Sequence, residues 1–270
     1  MAIGGSASRE RRRAGPSLPD GLFNIAGFGN PQTITRPTIQ IVTNPHDIHT
    51  AQRLQGLRYF SEGYVCEGDI KPSGVLNDAI DPYKDRSTYF TVSDEITPTK
   101  PLVVARQINC DTDGSFPVLD HMDLFPGACA KIKRLDASQC VEISGLAKVP
   151  GTPQTMVLLL YRAMWHHSLA QGHDKWIMAS DRRLTRNLRE MFGGALEVIG
   201  ETQHYLGSPS DPMLLDSRHG LETLLQECLD EANSETGINK RSIAATLIDG
   251  LDRDLLPKVQ RDLIAQVFLL

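Results

Sequence analysis

One carboxylate stands out by its setting. Glu142 lies in the run Gln139 to Val149, beside Val141, Ile143 and Leu146, a composition that reads as a buried strand. A carboxyl group withdrawn from water holds its proton more tightly, and the raised pKa suits a general base near neutral pH. At a sheet rim the same residue would instead form a structural ion pair, and Arg106, at the end of the apolar run Leu102 to Ala105, is the candidate partner. Arg106 could also bind a substrate carboxylate or orient Glu142, or extend its head group into solvent as a rim charge. Asp81 follows an irregular stretch holding Gly63, Gly68, Pro72 and Gly74. It reads as an amine-recognition residue or as an ordinary turn aspartate.

Positive charge forms a second pattern. Arg182, Arg186 and Arg189 recur at i, i+4 and i+7 with Arg183 beside them, while Leu184, Leu188 and Met191 fall on the other side. This spacing predicts an amphipathic helix whose basic face is either solvated or docks an acidic partner. Lys131, Lys133 and Arg134 form another cluster, and Arg9 to Arg13 a third, set among Gly, Ala and Ser as in a solvated tail or docking arm. A net charge of -5 gives no overall pull toward nucleic acid, and none is expected as a partner.

Metal and thiol chemistry have little support. His166 and His167 are adjacent, and so point about 100° apart on a helix; with His173 they form no HExxH pattern, and no metal is expected. Asp111-Thr112-Asp113-Gly114 lacks the later ligands of a calcium loop. The five cysteines are odd in number and show no C-x-x-C spacing, which suggests free thiols in a reducing compartment. Cys140 shares a strand face with Glu142, but no histidine is placed by motif to activate it. No apolar run approaches the roughly 18 residues of a membrane helix, and the N-terminus lacks the apolar core of a secretory signal, so a cytoplasmic location without an integral membrane segment is expected.

The elements that must position these residues follow from periodicity. Residues 1 to 37 read as a loosely attached or disordered tail. Strands are expected at Thr38 to Thr43, Ser87 to Ser93, Pro101 to Asn109, Gln139 to Val149, Lys175 to Ala179, Leu196 to Ile199 and Thr202 to Leu206. Helices are expected around Ile48 to Leu57, from a Thr152 cap with Pro153 in first position to Gln171, and over Asp181 to Phe192. This order predicts an α/β fold, a mixed central sheet with helices on both faces, over residues 38 to 216. Residues 217 to 270 carry three apolar stripes: Leu221, Leu224, Leu225; Ile243, Leu247, Leu251; and Val259, Leu263, Val267. They read as a helical extension that packs on the core or makes a homodimer contact.

Four short motifs in this order give the chain a resemblance to a known family. They are Leu57-Arg58-Tyr59-Phe60 with Gly63-Tyr64-Val65, the acidic stretch Asp78 to Asp85, Val103-Val104-Ala105-Arg106, and Val141-Glu142-Ile143-Ser144-Gly145-Leu146-Ala147. From about Gln52 to Leu206 the chain resembles GNAT acyltransferases of the branch containing acyl-homoserine-lactone synthases and long-chain N-acyl amino acid synthases. The resemblance implies a GNAT fold and transfer of an acyl chain from a thioester to a small amine. It implies catalytic roles for Glu142, Asp81, Arg106 and Ser144, and substrate contacts for Arg58, Tyr64 and Asp78, with Asp85 a lesser candidate. The family motif reads E-x-S-R where this chain has Glu142 to Gly145, so the arginine's place is taken by Gly145.

Amide synthesis from a thioester needs a base for the amine proton and N–H donors for the oxyanion, for which the strand around Ser144 is the candidate. The stretch Lys148-Val149-Pro150-Gly151-Thr152-Pro153-Gln154 has one glycine and two prolines. It is poorly suited to cradle the pyrophosphate of acyl coenzyme A. The resemblance therefore implies acyl carrier protein, whose phosphopantetheine arm has one phosphate, as donor, and Arg182, Arg183, Arg186 and Arg189 as its docking face. Acyl coenzyme A as donor, and a non-catalytic binding module on the same scaffold, are the alternatives.

Overall fold

The computed structural model describes residues 34–110, 115–230 and 240–269. The basic run Arg9 to Arg13, most of the expected tail and the Asp111 to Gly114 turn lie outside the described residues. The strands are β1 (Pro37–Val42), β2 (Ser87–Asp94), β3 (Thr97–Asn109), β4 (Cys140–Lys148), β5 (Lys175–Asp181), β6 (Leu196–Val198), β7 (Gln203–Tyr205) and β8 (Ser208–Asp216). The helices are α1 (Pro45–Ser61), α2 (Pro117–His121), α3 (Pro126–Ile132), α4 (Gln154–Ala170), α5 (Arg182–Phe192), α6 (Ser217–Asp230), α7 (Lys240–Ile248) and α8 (Lys258–Leu269).

All eight strands form one sheet in the order β1-β2-β3-β4-β5-β8-β6, with β7 also pairing with β8. Every pairing is antiparallel except β4 with β5. That pair is joined in sequence by α4, the helical crossover that parallel strands require. Side chains alternate across the sheet, so Tyr89, Arg106, Cys140, Glu142 and Ile177 share one face. α1, α2 and α3 cover it. Val141, Ile143, Trp176 and Met178 point the other way, under α4, α5 and α6. α4 is pinned to that face where Gln107 Nε2 donates to Met164 O and Ser168 Oγ, both at 2.7 Å.

Three local expectations are corrected. The strand β8 was not among the expected strands, and it carries Pro209 and Pro212, residues that disfavour an interior strand. Pro212 is accommodated between the segments that β6 and β7 pair with, where its carbonyl accepts from Ile199 N at 2.9 Å. Thr152 does not cap α4. Pro153 holds that position, and the Thr152 hydroxyl donates to Val149 O at 2.7 Å inside the preceding turn. The third C-terminal stripe holds in part: Val267 is buried and Leu263 packs against the core, while Val259 is 61% exposed and Ile264 is buried in addition.

The C-terminal helices pack on their own chain. Leu221, Leu224, Leu225, Ala244, Leu247 and Ile264 join the same apolar core as the sheet. Burial of that many large side chains, at about 25 cal/mol per Å² of apolar surface, is what holds the extension down. No helix among the described residues is long and apolar enough to cross a membrane.

Candidate active site

Glu142 is buried (2% exposed) in the middle of β4. Among the described residues its carboxyl has one hydrogen bond, which comes from the local structure of α2. Pro117 opens that helix, which leaves the next N–H without an intrahelical acceptor, and Val118 N donates to Glu142 Oε2 at 2.9 Å. Burial pushes the Glu142 carboxyl up to about 8, against the opposing pull of the Val118 N–H and the Arg106 and Arg86 charges. A carboxyl in this state exchanges a proton near neutral pH, as a general base must.

The sheet opens beside it. β4 and β5 pair over only four rungs, from Cys140 opposite Lys175 to Ile143 opposite Met178. Beyond Ile143 the two strands splay. At the same level the β3–β4 register slips by one, from Arg106 opposite Ser144 to Val104 opposite Ala147. The extra residue makes a β-bulge at Gly145–Leu146, and Gly145 takes φ 70°. Into the splay opens a cavity of about 190 Å³. Glu142, Ser144, Gly145, Tyr59, Tyr64 and Tyr205 lie toward its polar end, and Leu158, Trp165, Trp176, Leu188, Leu221 and Leu247 contribute apolar wall.

The bulge accounts for the glycine where the resembling motif has arginine. A Cβ on Gly145 would stand 3.0 Å from the side chain of Gln55, a buried residue of α1. The positive φ also disfavours any L side chain. Gly145→Ala is expected to cost about 1–2 kcal/mol, and Gly145→Arg at least as much, seen as a lower urea midpoint with unchanged slope. Restoring the arginine is thus expected to weaken the protein rather than repair a site.

Asp81 and Arg106 meet as a buried ion pair. The turn that delivers Asp81 is tied by Asn77, whose Oδ1 accepts from Ala79 N and Ile80 N, and Asp81 N donates to Asn77 O. Arg106 Nη1 then donates to Asp81 Oδ2 at 2.8 Å and to Tyr89 Oη at 3.2 Å. Burial alone would lower the Arg106 pKa, but the Asp81 carboxylate and Tyr89 overcome it, and the guanidinium stays charged. Its Nε has no hydrogen-bond partner among the described residues. Both side chains lie behind the cavity wall rather than in it.

The other expected residues are distributed as follows. Ser144 and Tyr64 line the cavity. Arg58 sits outside it, bonded to Ser61 Oγ at 2.9 Å and paired with Glu62. Asp78 is at the surface, held by Lys71 and Lys84 at 2.9 Å each. Arg182, Arg183, Arg186 and Arg189 are exposed on α5, whose N-cap Asp181 reaches the cavity rim. Lys131 pairs with Glu197. Cys140 is buried, with its thiol pushed up to about 11 by desolvation. His166 bonds the Leu247 carbonyl at 2.7 Å, and His167 packs edge-on against Phe90.

Sequence reasoning missed an aromatic group at the polar end. Tyr59 meets Tyr64 edge to face with ring centroids 5.6 Å apart. The Tyr83 hydroxyl and His121 Nε2 share a 2.7 Å hydrogen bond, and the His121 ring stacks on Tyr205. Burial pushes Tyr59 up to about 12 and raises Tyr205 as well, so both stay neutral hydrogen-bond donors. Tyr59 and Tyr64 fell within a recognised motif, but nothing local signals that Tyr83, His121 and Tyr205 converge on it.

A mixed sheet with a short parallel pair that splays beside a bulge is a GNAT-like fold. No protein-family model and no curated protein matches the sequence. Among solved structures, the N-acyl amino acid synthase FeeM from uncultured soil microbes matches 70% of this chain and 94% of its own, at 14% identity and TM-score 0.55. The CoA-dependent acyl-homoserine lactone synthase BjaI, with SAM and isopentyl-CoA, matches 87% of this chain and 100% of its own, at 15% identity and TM-score 0.54. The acyl-homoserine-lactone synthase LasI matches 67% and 90%, at 12% identity and TM-score 0.52.

Proposed function

We propose that the protein is an N-acyltransferase that moves an acyl chain from a thioester to the amine of a small acceptor such as an amino acid. The observation that carries this reading is Glu142, a buried carboxyl with its pKa at about 8 on the wall of an apolar cavity that opens beside a β-bulge. The cavity takes the acyl chain, and the acceptor enters at the tyrosine-lined end. The amine nitrogen attacks the thioester carbon while Glu142 accepts its proton. The carbonyl oxygen becomes an oxyanion facing the backbone of Ser144 to Leu146, where β4 has lost its β5 partner. The C–S bond then breaks, the leaving thiolate takes the proton that Glu142 had accepted, and the amide remains. Asp81 and Arg106 act from behind the wall, holding the turn and lending positive charge to the neighbourhood of Glu142.

The donor we propose is acyl carrier protein. Four exposed arginines on α5, a helix that starts at the cavity rim, suit an acidic carrier. Reversing Arg182, Arg186 and Arg189 to Glu is expected to lower kcat/KM for an acyl-carrier donor about tenfold or more. The rate with a small acyl-pantetheine should be unaffected. The whole reading is tested by incubating the protein with matched acyl-carrier and acyl-coenzyme A donors and mixed amino acids. Mass spectrometry should detect N-acyl products, with the carrier preferred. A preference for coenzyme A would replace the donor, and no acylated amine from either would remove the enzyme reading in favour of a binding module.

A further inference from the structure

The cavity's far end is built by the C-terminal helices. Along β5 the wall runs from Ser180, at the splay, to Trp176, four residues deeper, a depth of about 13 Å at strand spacing. At that depth Ser217 and Leu221 of α6 and Leu247 of α7 complete the lining. Leu221 is 2% exposed and Leu247 is 5% exposed, so they close the space rather than border an exit.

This floor is anchored. His166 of α4 bonds the main-chain carbonyl of Leu247 itself at 2.7 Å, and Arg162, one turn earlier on α4, pairs with Asp249 just past α7. α6 is held in turn: Ser217 Oγ donates to Asp174 O at 3.0 Å, and Gln260 Nε2 of α8 donates to Arg218 O at 3.0 Å. A wall held by hydrogen bonds on both contributing helices keeps its position when a chain presses on it.

We infer that Leu221 and Leu247 form an acyl-length ruler: the C-terminal helices set the longest chain the cavity accepts, by stopping its terminal methyl group. This rests on the acyl-transfer reading for the identity of the occupant, but it is a statement about binding and can be tested without turnover. It also assigns a task to the α6–α8 segment, which the chemistry at Glu142 does not use.

The test is equilibrium binding of a homologous series of saturated S-acyl-pantetheines, followed by intrinsic fluorescence. The chain has two tryptophans, Trp165 and Trp176, and both are on the cavity wall. In the unaltered protein, affinity should rise about fourfold per added methylene and then stop rising at a cut-off length. Leu247→Ala and Leu221→Ala should move the cut-off one to three carbons longer, and Leu247→Phe should move it shorter. Because Leu→Ala in a core can unfold a protein, Leu247→Val is the milder variant, with a smaller shift in the same direction. Leu225→Ala is the control. It truncates an equally buried leucine of α6 that is not part of the cavity lining, and should leave the cut-off in place.

The ruler is overturned if folded Leu247 and Leu221 variants keep the original cut-off, if Leu225→Ala shifts it equally, or if affinity is independent of chain length. Failure of the acyl-transfer reading looks different. Length-dependent binding with a movable cut-off, but no N-acyl product, removes the enzyme and leaves the ruler. Product formation with a cut-off insensitive to Leu221 and Leu247 does the reverse.

Discussion

Glu142→Gln is expected to abolish most acyl transfer while leaving the protein folded, with kcat reduced by on the order of 10²–10⁴. The amide is isosteric and its oxygen can still accept from Val118 N, so the start of α2 should stay in place. What is lost is the ability to take a proton. The pH profile gives an independent reading of the same group. Desolvation raises Glu142 to about 8, and a base acts in its unprotonated form. The rate should therefore rise with pH through about 8 and level off above it. The acceptor amine also loses a proton as pH rises, so the Gln variant separates the two: a limb that persists in it belongs to the acceptor, and the limb that disappears belongs to Glu142. A folded Gln variant with full activity would return Glu142 to a purely structural role.

The largest effect on stability is expected at the ion pair behind the cavity. Asp81→Ala leaves the Arg106 guanidinium at 5% exposure with the Tyr89 hydroxyl as its one remaining side-chain partner among the described residues. Arg106→Ala leaves a carboxylate just as buried. Removing one member of such a pair typically costs about 3–5 kcal/mol, because the remaining charge has lost its compensation and cannot return to water. Denaturant titrations should show both single variants losing most of the protein's stability. Replacing both, as Asp81→Leu with Arg106→Met, should recover much of that loss, since well-packed apolar side chains of similar size often match a buried pair. If the double variant is no better than the singles, the surrounding hydrogen bonds rather than the charges carry the effect. If a single variant costs under about 1 kcal/mol, the pair behaves as an exposed one.

The placement of Arg106 and Asp81 illustrates what a sequence can and cannot convey. Arg106 was legible as the end of an apolar strand, and Glu142 as a carboxylate within one, because the period of two that buries a strand is written in adjacent residues. Whether Glu142 would pair with Arg106 was left open. The answer depends on the turn at Asn77 to Asp81, which brings a different carboxylate to the arginine and leaves Glu142 bonded to α2. That choice is made between segments distant in the chain, where no local spacing applies.

Seven of the eight strands, the crossover helix α4, the arginine face of α5 and the fold were determined by the sequence itself. Each rests on short-range periodicity, capping chemistry or motif order, which act over a few residues. Tertiary structure decided the rest. The interior strand β8 went unread: it carries Pro209 and Pro212, and the gap between the β6 and β7 pairings that accommodates Pro212 is made by other segments. The glycine at position 145 looked like a missing arginine, and is the residue a bulge with positive φ requires against Gln55. The tyrosines at the polar end, and Leu221 and Leu247 at the apolar end, came together only when the sheet splayed and the C-terminal helices closed over it. Burial and long-range packing, which set the pKa of Glu142 and the depth of its cavity, are properties of the folded arrangement and have no local signature in the chain.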